Sequence, residues 1–204
     1  YRWFDFCSIK NTILDSESGG SGTELADIMD TIEKQQYVEP SLLMQHFFNV
    51  FVVDALLGNF DRHNGNWGFL YDDSTKEARI APVYDCGSCL LPQADERIME
   101  QALVNEDVMN ARVYQFPTSA IKLDGRKINY YDFLMSAEEP ECNAAIQRMV
   151  PKINLEQIKG FIEEVPFITE LQKTFYKRYI QILKPAYDMV MSEKQELSEP
   201  NMTM

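Results

Sequence analysis

The sequence predicts an α+β fold, mostly α-helical, with one small β-hairpin. Three observations carry this expectation. Apolar residues recur at helical spacing through much of the chain, two short strand-like runs flank a single polar turn, and no internal repeat is found. With 204 residues, 45% of them hydrophobic and 12% aromatic, the chain can bury the core of one domain or of a tight pair of subdomains.

The elements follow in order. Residues 1–6 are aromatic and suit a short strand or an extended connector. Residues 10–22 are polar and end in Gly19-Gly20-Ser21-Gly22. No strand precedes this glycine run and no Lys follows it, so helix capping is preferred to a phosphate-binding loop. Ser21-Gly22-Thr23-Glu24 then reads as a capping box, and Leu25, Ile28, Met29 and Ile32 mark one face of a helix over 24–36. Pro40 and Ser41 open a helix over 42–57 that is apolar on all sides, as befits the centre of a domain, and it stops at Gly58-Asn59. Strands are expected at 67–71 and 78–83 around a polar turn at 72–77. The stretch 88–129 is weakly periodic and reads as mostly loop, with one short helix at 106–113. Helical patterns return at 132–136, 142–149, 155–164 and 170–191. Residues 1–192 are thus read as one body and 193–204 as a polar tail.

Composition narrows the partners. A net charge of -13 and a pI near 4.6 disfavour direct nucleic-acid binding and anionic membranes. No apolar run approaches the roughly 20 residues of a membrane helix and no leader opens the chain, so a soluble, cytoplasmic protein is expected. The chain opens on Tyr1 and runs straight into an apolar segment, as if cut from something longer. Four cysteines make no dense disulfide framework, and the ten Met and two His add no metal pattern. Cys86-x-x-Cys89 is half of a zinc signature without its second half, so metal binding by cysteine and a redox role are both disfavoured.

The chemistry concentrates in Gly58-Asn59-Phe60-Asp61-Arg62-His63-Asn64-Gly65-Asn66 and in Tyr84-Asp85-Cys86-Gly87. A phosphoryl-transfer site needs an acidic group to accept the proton of an incoming hydroxyl and oxygen ligands that hold Mg²⁺ on the phosphates. Asp61 and Asn66 stand at the Asp-x-x-x-x-Asn spacing of a kinase catalytic loop, and Asp85 supplies a second, charged ligand. A turn centred near Ser74 would set Tyr71 against Ala78, Phe69 against Ile80 and Trp67 against Pro82, returning Asp85 to the neighbourhood of Asn66. Opposed residues of such a ladder lie about 5 Å apart. Gly65 and Gly87 are expected to give the backbone freedom beside a crowded anion. The bland alternative is an Asn/Gly-rich surface turn capped by Asp61, which leaves Asp85-Cys86-Gly87 unexplained.

Asp61-Arg62-His63-Asn64-Gly65-Asn66 and the later Tyr84-Asp85 resemble the two signature segments of HipA-like serine/threonine kinases. Asp-Arg-His is also similar to the catalytic loop of phosphoinositide lipid kinases. The resemblance implies a kinase-like carboxyl-terminal lobe whose hairpin carries the Mg²⁺-binding segment. It matches Asp61 to the catalytic base, Asn66 and Asp85 to the Mg²⁺ ligands, and His63 to a catalytic-loop residue near the nucleotide. Tyr84 goes with Asp85, and Arg2-Trp3-Phe4-Asp5 resembles the hinge whose backbone holds adenine. ATP, Mg²⁺ and a protein substrate follow as expectations, and a toxin role is implied by resemblance alone.

No upstream strand with a phosphate-binding Lys and no glycine-rich phosphate loop is found, so a lobe on a partner protein or in a missing N-terminal region is expected to complete the site. The isolated chain is expected to be inactive. Two other readings stay open: a kinase-like binding module that does no chemistry, and a lipid or small-molecule kinase.

Overall fold

The computed structural model describes residues 1–13, 19–136 and 138–198. The aromatic start forms strand β1 (Arg2–Asp5), and helix α1 (Phe6–Ile13) follows directly. Phe6 and Ile9 are buried on its inner side, and the helix runs on through Ile13, into the polar stretch that begins at residue 10. Residues 14–18 of that stretch lie outside the described residues.

A single 3₁₀ turn, Gly19–Ser21, leads into helix α2 (Leu25–Lys34). The expected capping box does not form: Glu24 is the N-cap and makes no side-chain cap bond. Thr23 is drawn elsewhere, its Oγ1 donating to Ala120 O at 2.7 Å and its carbonyl accepting from Lys122 N at 2.8 Å. The helix also ends two residues before 36, because the Gln35 amide ties off the chain, donating to Ile32 O and Val38 O and accepting from Tyr37 N and Val38 N.

Helix α3 (Pro40–Leu57) opens on its proline and closes on Gly58 at φ 64°. Leu43, Phe48, Val52 and Ala55 are fully shielded around its circumference. At 18 residues it is apolar and long enough, by composition, to cross a membrane, contrary to the sequence reading, and half of it is buried inside the protein. It is the core helix, packed against α2, against α7 (Pro140–Met149) and against α9 (Glu170–Ser198).

Strands β2 (Gly68–Asp72) and β3 (Glu77–Ile80) pair as Phe69↔Ile80 and Tyr71↔Ala78, the expected register. The last ladder bond is Ala81 N to Gly68 O at 2.9 Å, and Pro82 has no N–H to continue it, so β3 is shorter than expected. β1 joins the other edge of β2, which makes a three-stranded antiparallel sheet in the order β1-β2-β3.

The stretch 88–129 holds far more structure than its weak periodicity promised. Asp95 caps helix α4 (Glu96–Val104) by accepting from Ile98 N, and Asn105 caps α5 (Glu106–Asn110). A wider π-type turn, Ala111–Gln115, precedes a second hairpin of β4 (Thr118–Leu123) and β5 (Arg126–Asn129) about Asp124-Gly125. Helices α6 (Tyr130–Ser136), α7, α8 (Leu155–Glu164) and α9 complete the chain. α9 is described through Ser198, so the polar tail is helical to that point, and 199–204 lie outside the described residues.

Candidate active site

The loop after α3 is held from beneath. Asn59 N donates to Asp54 O and Asn59 Nδ2 to Asp54 Oδ1, both at 2.8 Å, while the buried Tyr130 hydroxyl donates to Asn59 O. Asn59 Oδ1 in turn accepts from Asp61 N at 3.2 Å. The chain then folds back on itself: Asp61 O accepts from His63 N at 2.8 Å and from Asn66 Nδ2 at 2.8 Å. Within this bend Arg62, Asn64 and Asn66 are buried, whereas Asp61 and His63 are exposed.

Arg62 is the hub. Its Nε reaches Asp54 Oδ2 at 2.8 Å and its Nη2 reaches Asp54 Oδ1 at 3.1 Å, a two-pronged pair with both residues 5% exposed or less. Its Nη1 donates to Asn66 O at 2.9 Å and also to Tyr84 O. One nitrogen therefore bridges the two segments that the sequence singled out. Burial opposes the arginine's charge, yet the hydrogen bond and charge of Asp54 outweigh it and hold its pKa above the ordinary value.

Asn64 turns the opposite way, donating to Gly20 O and Gly22 O at 2.7 Å each. The glycine run is thus a cradle for this loop. A Cβ at Gly20 would lie 1.9 Å from Cys7 O, which explains why a side chain is excluded there.

The hairpin returns the chain to the loop. Tyr84 OH donates to Gly65 O at 3.1 Å, and its pKa is pushed up to about 12 by burial and then by the charge of Asp5. Asp85 follows with φ 54°, in the left-handed region. The strain sits there, and neither Gly65 nor Gly87 has a positive φ. A Cβ on Gly87 would come no nearer than 4.0 Å to Asp85 Oδ1, so the space beside that carboxylate is open. Beyond it, Leu90 N donates to Leu57 O at 2.7 Å and pins the segment to the end of α3.

Asp54 and Arg62 spend every side-chain polar atom on the frame, and the residues expected to do chemistry do not. The carboxylates of Asp61 and Asp85 and the Oδ1 of Asn66 have no hydrogen bond or ion pair within the described protein. A carboxylate and an amide oxygen are hard donors that suit Mg²⁺, which takes one or two protein ligands beside phosphate oxygens. No group of three or more His, Cys, Asp or Glu that would hold a metal by itself occurs among the described residues. His63 Nδ1 accepts from Gly65 N at 3.0 Å.

The structure separates the three hinge-like residues. Trp3 stands edge-on to Tyr84, with ring centroids 5.6 Å apart, on the site's side of the sheet. Phe4 lies on the other face, against Tyr37 at 5.3 Å and Phe69 at 5.4 Å, and Arg2 sits over Tyr71 on that same face. Phe6 N bonds Trp67 O, so the alternation of an antiparallel ladder turns the peptide groups of Arg2 and Phe4 toward β2 and those of Trp3 toward the open edge.

Two further groups escaped the sequence reading. Asp54 is the lone charged residue of the apolar helix 40–57, a signal that a buried partner is required. Asn64 gave no such signal, because its partners are main-chain carbonyls from a distant turn.

Residues 3–156, which include both segments, match the family of the HipA-like C-terminal domain. The chain belongs to this family. The serine/threonine-protein kinase CtkA of Helicobacter pylori is 47% identical over 176 residues, which is 86% of this chain and 54% of that protein. The HipA-like chain therefore spans about half the length of the curated relative it matches. A crystal structure of a Helicobacter pylori proinflammatory kinase CtkA superposes with a TM-score of 0.94 at 44% identity, covering 97% of this chain and 73% of that one. The mostly helical fold with small antiparallel sheets is the fold of that kinase.

Proposed function

We propose that this HipA-like chain is the catalytic-loop lobe of an ATP-dependent kinase that phosphorylates serine or threonine hydroxyls of a protein. One observation supports the reading above the others: Asp61, Asn66 and Asp85 keep uncommitted oxygens on a frame that Arg62 ties together. Asp61 would orient the acceptor hydroxyl and take its proton. Asn66 Oδ1 and the Asp85 carboxylate would hold the divalent cation, and Mg²⁺ when bound neutralises charge on the phosphates. Trp3, with its peptide groups at the open edge and its ring against Tyr84, would meet the base of the nucleotide, and His63 would flank the phosphates. Arg2 and Phe4 serve this site through the strand they build.

Positioning and charge stabilisation dominate phosphoryl transfer, so a lobe that grips the triphosphate, on a partner or in an N-terminal region, is part of the proposal. The test is transfer of radiolabelled γ-phosphate to a Ser/Thr peptide mixture by the chain supplied with such a lobe. Asp61→Ala is expected to abolish transfer. Transfer by the Asp61→Ala protein at the parent rate would refute the assigned base.

A further inference from the structure

Cys86 and Cys89 stand beside the site and take no part in the chemistry proposed above. They close a four-residue turn in which Cys89 N donates to Cys86 O at 3.1 Å. Such a turn holds its first and last Cα within about 7 Å, and a disulfide spans about 4.4–6.8 Å between Cα atoms. The two thiols thus stand at the ends of one turn, and Cys86 Sγ lies 3.7 Å from Arg62 Nη2. Cys86 is exposed and Cys89 half-buried, so an oxidant reaches the first thiol and the second is in place to resolve it. Both neighbouring anchors belong to the site: Tyr84 O accepts from Arg62 on one side, and Leu90 N is tied to Leu57 O on the other.

We propose that Cys86 and Cys89 form a reversible disulfide under peroxide, and that closing it withdraws Asp85 from its working position. The second half rests on the kinase reading. The peroxide O–O bond breaks on the Cys86 thiol, giving a sulfenic acid and one water. The Cys89 sulfur then displaces that hydroxyl as a second water, carrying off the Cys89 proton, and the S–S bond forms. Two thiols thereby supply the two electrons that reduce one peroxide to two waters, and a small dithiol reverses the step. A disulfide needs its Cβ atoms about 3.8 Å apart at a dihedral near 90°. Meeting that geometry pulls Cys86 Sγ off Arg62 and strains the residue next to it, which is Asp85.

The experiment treats the chain with hydrogen peroxide, alkylates free thiols under denaturing conditions, and measures the intact mass and the peptide map. Expected is the loss of two hydrogens, with the crosslink confined to the peptide holding residues 86 and 89. Cys86→Ser and Cys89→Ser should each prevent it, and Cys142→Ser, at a buried position, should not. Full alkylation of both thiols after peroxide, or a crosslink to Cys7 or to a second chain, overturns the proposal. In the transfer assay, oxidation is expected to lower activity on the order of a hundredfold, reversibly with a dithiol, while the Cys86→Ser protein, which lacks the thiol that peroxide attacks first, is unaffected by peroxide. Equal transfer by reduced and oxidised protein overturns the regulatory half alone. No transfer even from reduced protein refutes the kinase reading and the regulation with it, leaving the disulfide to the mass measurement.

Discussion

Removing the Asp54 carboxylate is the perturbation that tests how the loop is held. Asp54 is 3% exposed and Arg62 5%, so the pair is screened by little water. Asp54→Ala deletes the acceptors at 2.8 and 3.1 Å from the guanidinium and the one at 2.8 Å from Asn59 Nδ2. It leaves a buried cation with two main-chain carbonyls and the Cys86 sulfur for partners, and no opposite charge. Breaking a buried pair on one side costs about 3–5 kcal/mol, to be read as a lowered urea midpoint at unchanged slope, followed by tryptophan fluorescence. The companion variant, Asp54→Leu with Arg62→Met, replaces both charges by apolar groups of similar size. Its stability is expected to return to within about 1 kcal/mol of the parent, since such swaps are often neutral. Phosphoryl transfer should not return, because Asn66 O and Tyr84 O have lost their common donor. A cost below about 1 kcal/mol for Asp54→Ala, or full transfer by the double variant, would refute the view that this pair organises the site.

Gly58→Ala places a Cβ 2.7 Å from Tyr179 Oη at φ 64°, and a loss of at least about 1–2 kcal/mol is expected in the same unfolding assay. Tyr179→Phe removes a buried hydroxyl with no hydrogen-bond partner and should stabilise by about 1 kcal/mol, partly rescuing Gly58→Ala. Asn64→Ala frees Gly20 O and Gly22 O, so amide exchange over 19–22 should quicken while α9 stays protected. Burial and then the charge of Arg62 lower the pKa of His46 below 6.5. The unfolded chain then binds the proton first, so stability is full above pH 6.5 and is lost as pH falls toward the depressed value, by at most about 1.4 kcal/mol per pH unit. Melts of the parent and of His46→Gln between pH 7.5 and 5.5 check the sign, and parallel curves would refute it.

Much of this was legible because the signals were local. The Asp-x-x-x-x-Asn spacing and the polar turn near Ser74 fixed both the loop and the hairpin register, since a two-residue period leaves few ways to pair Phe69 with Ile80. What escaped was decided at long range. Glu24, the acidic member of the expected capping box, accepts instead from Gly125 N, so the box fails for a tertiary reason. Helix α1 is short, and its Phe6 reads as helical only once it stacks on Trp67 at 3.9 Å. The β4–β5 hairpin did carry an Asp-Gly turn signal at Asp124-Gly125, but only Ser119, Ile121 and Ile128 are buried along it, too few for a visible alternation.

The site is best understood as two halves with separate anchors. Asp61 is fixed through Asn59 to Asp54 and through Asn66, all within the loop that α3 supports. Asp85 is fixed by the end of the hairpin and by Leu90 N on Leu57 O, and both Leu90 and Leu91 share its left-handed conformation at φ 59° and 57°. Leucine adopts that conformation at a cost of order 1–3 kcal/mol, which persists only where surroundings enforce it. Arg62 and the Tyr84 hydroxyl on Gly65 O are the links between the halves. A change downstream of Asp85, at Cys86 or Leu90, should therefore disturb the Asp85 carboxylate, the proposed metal ligand, while Asp61, the proposed base, keeps its geometry, because strain released on one side reaches the other through a guanidinium that Asp54 already holds in place and through one tyrosine hydroxyl.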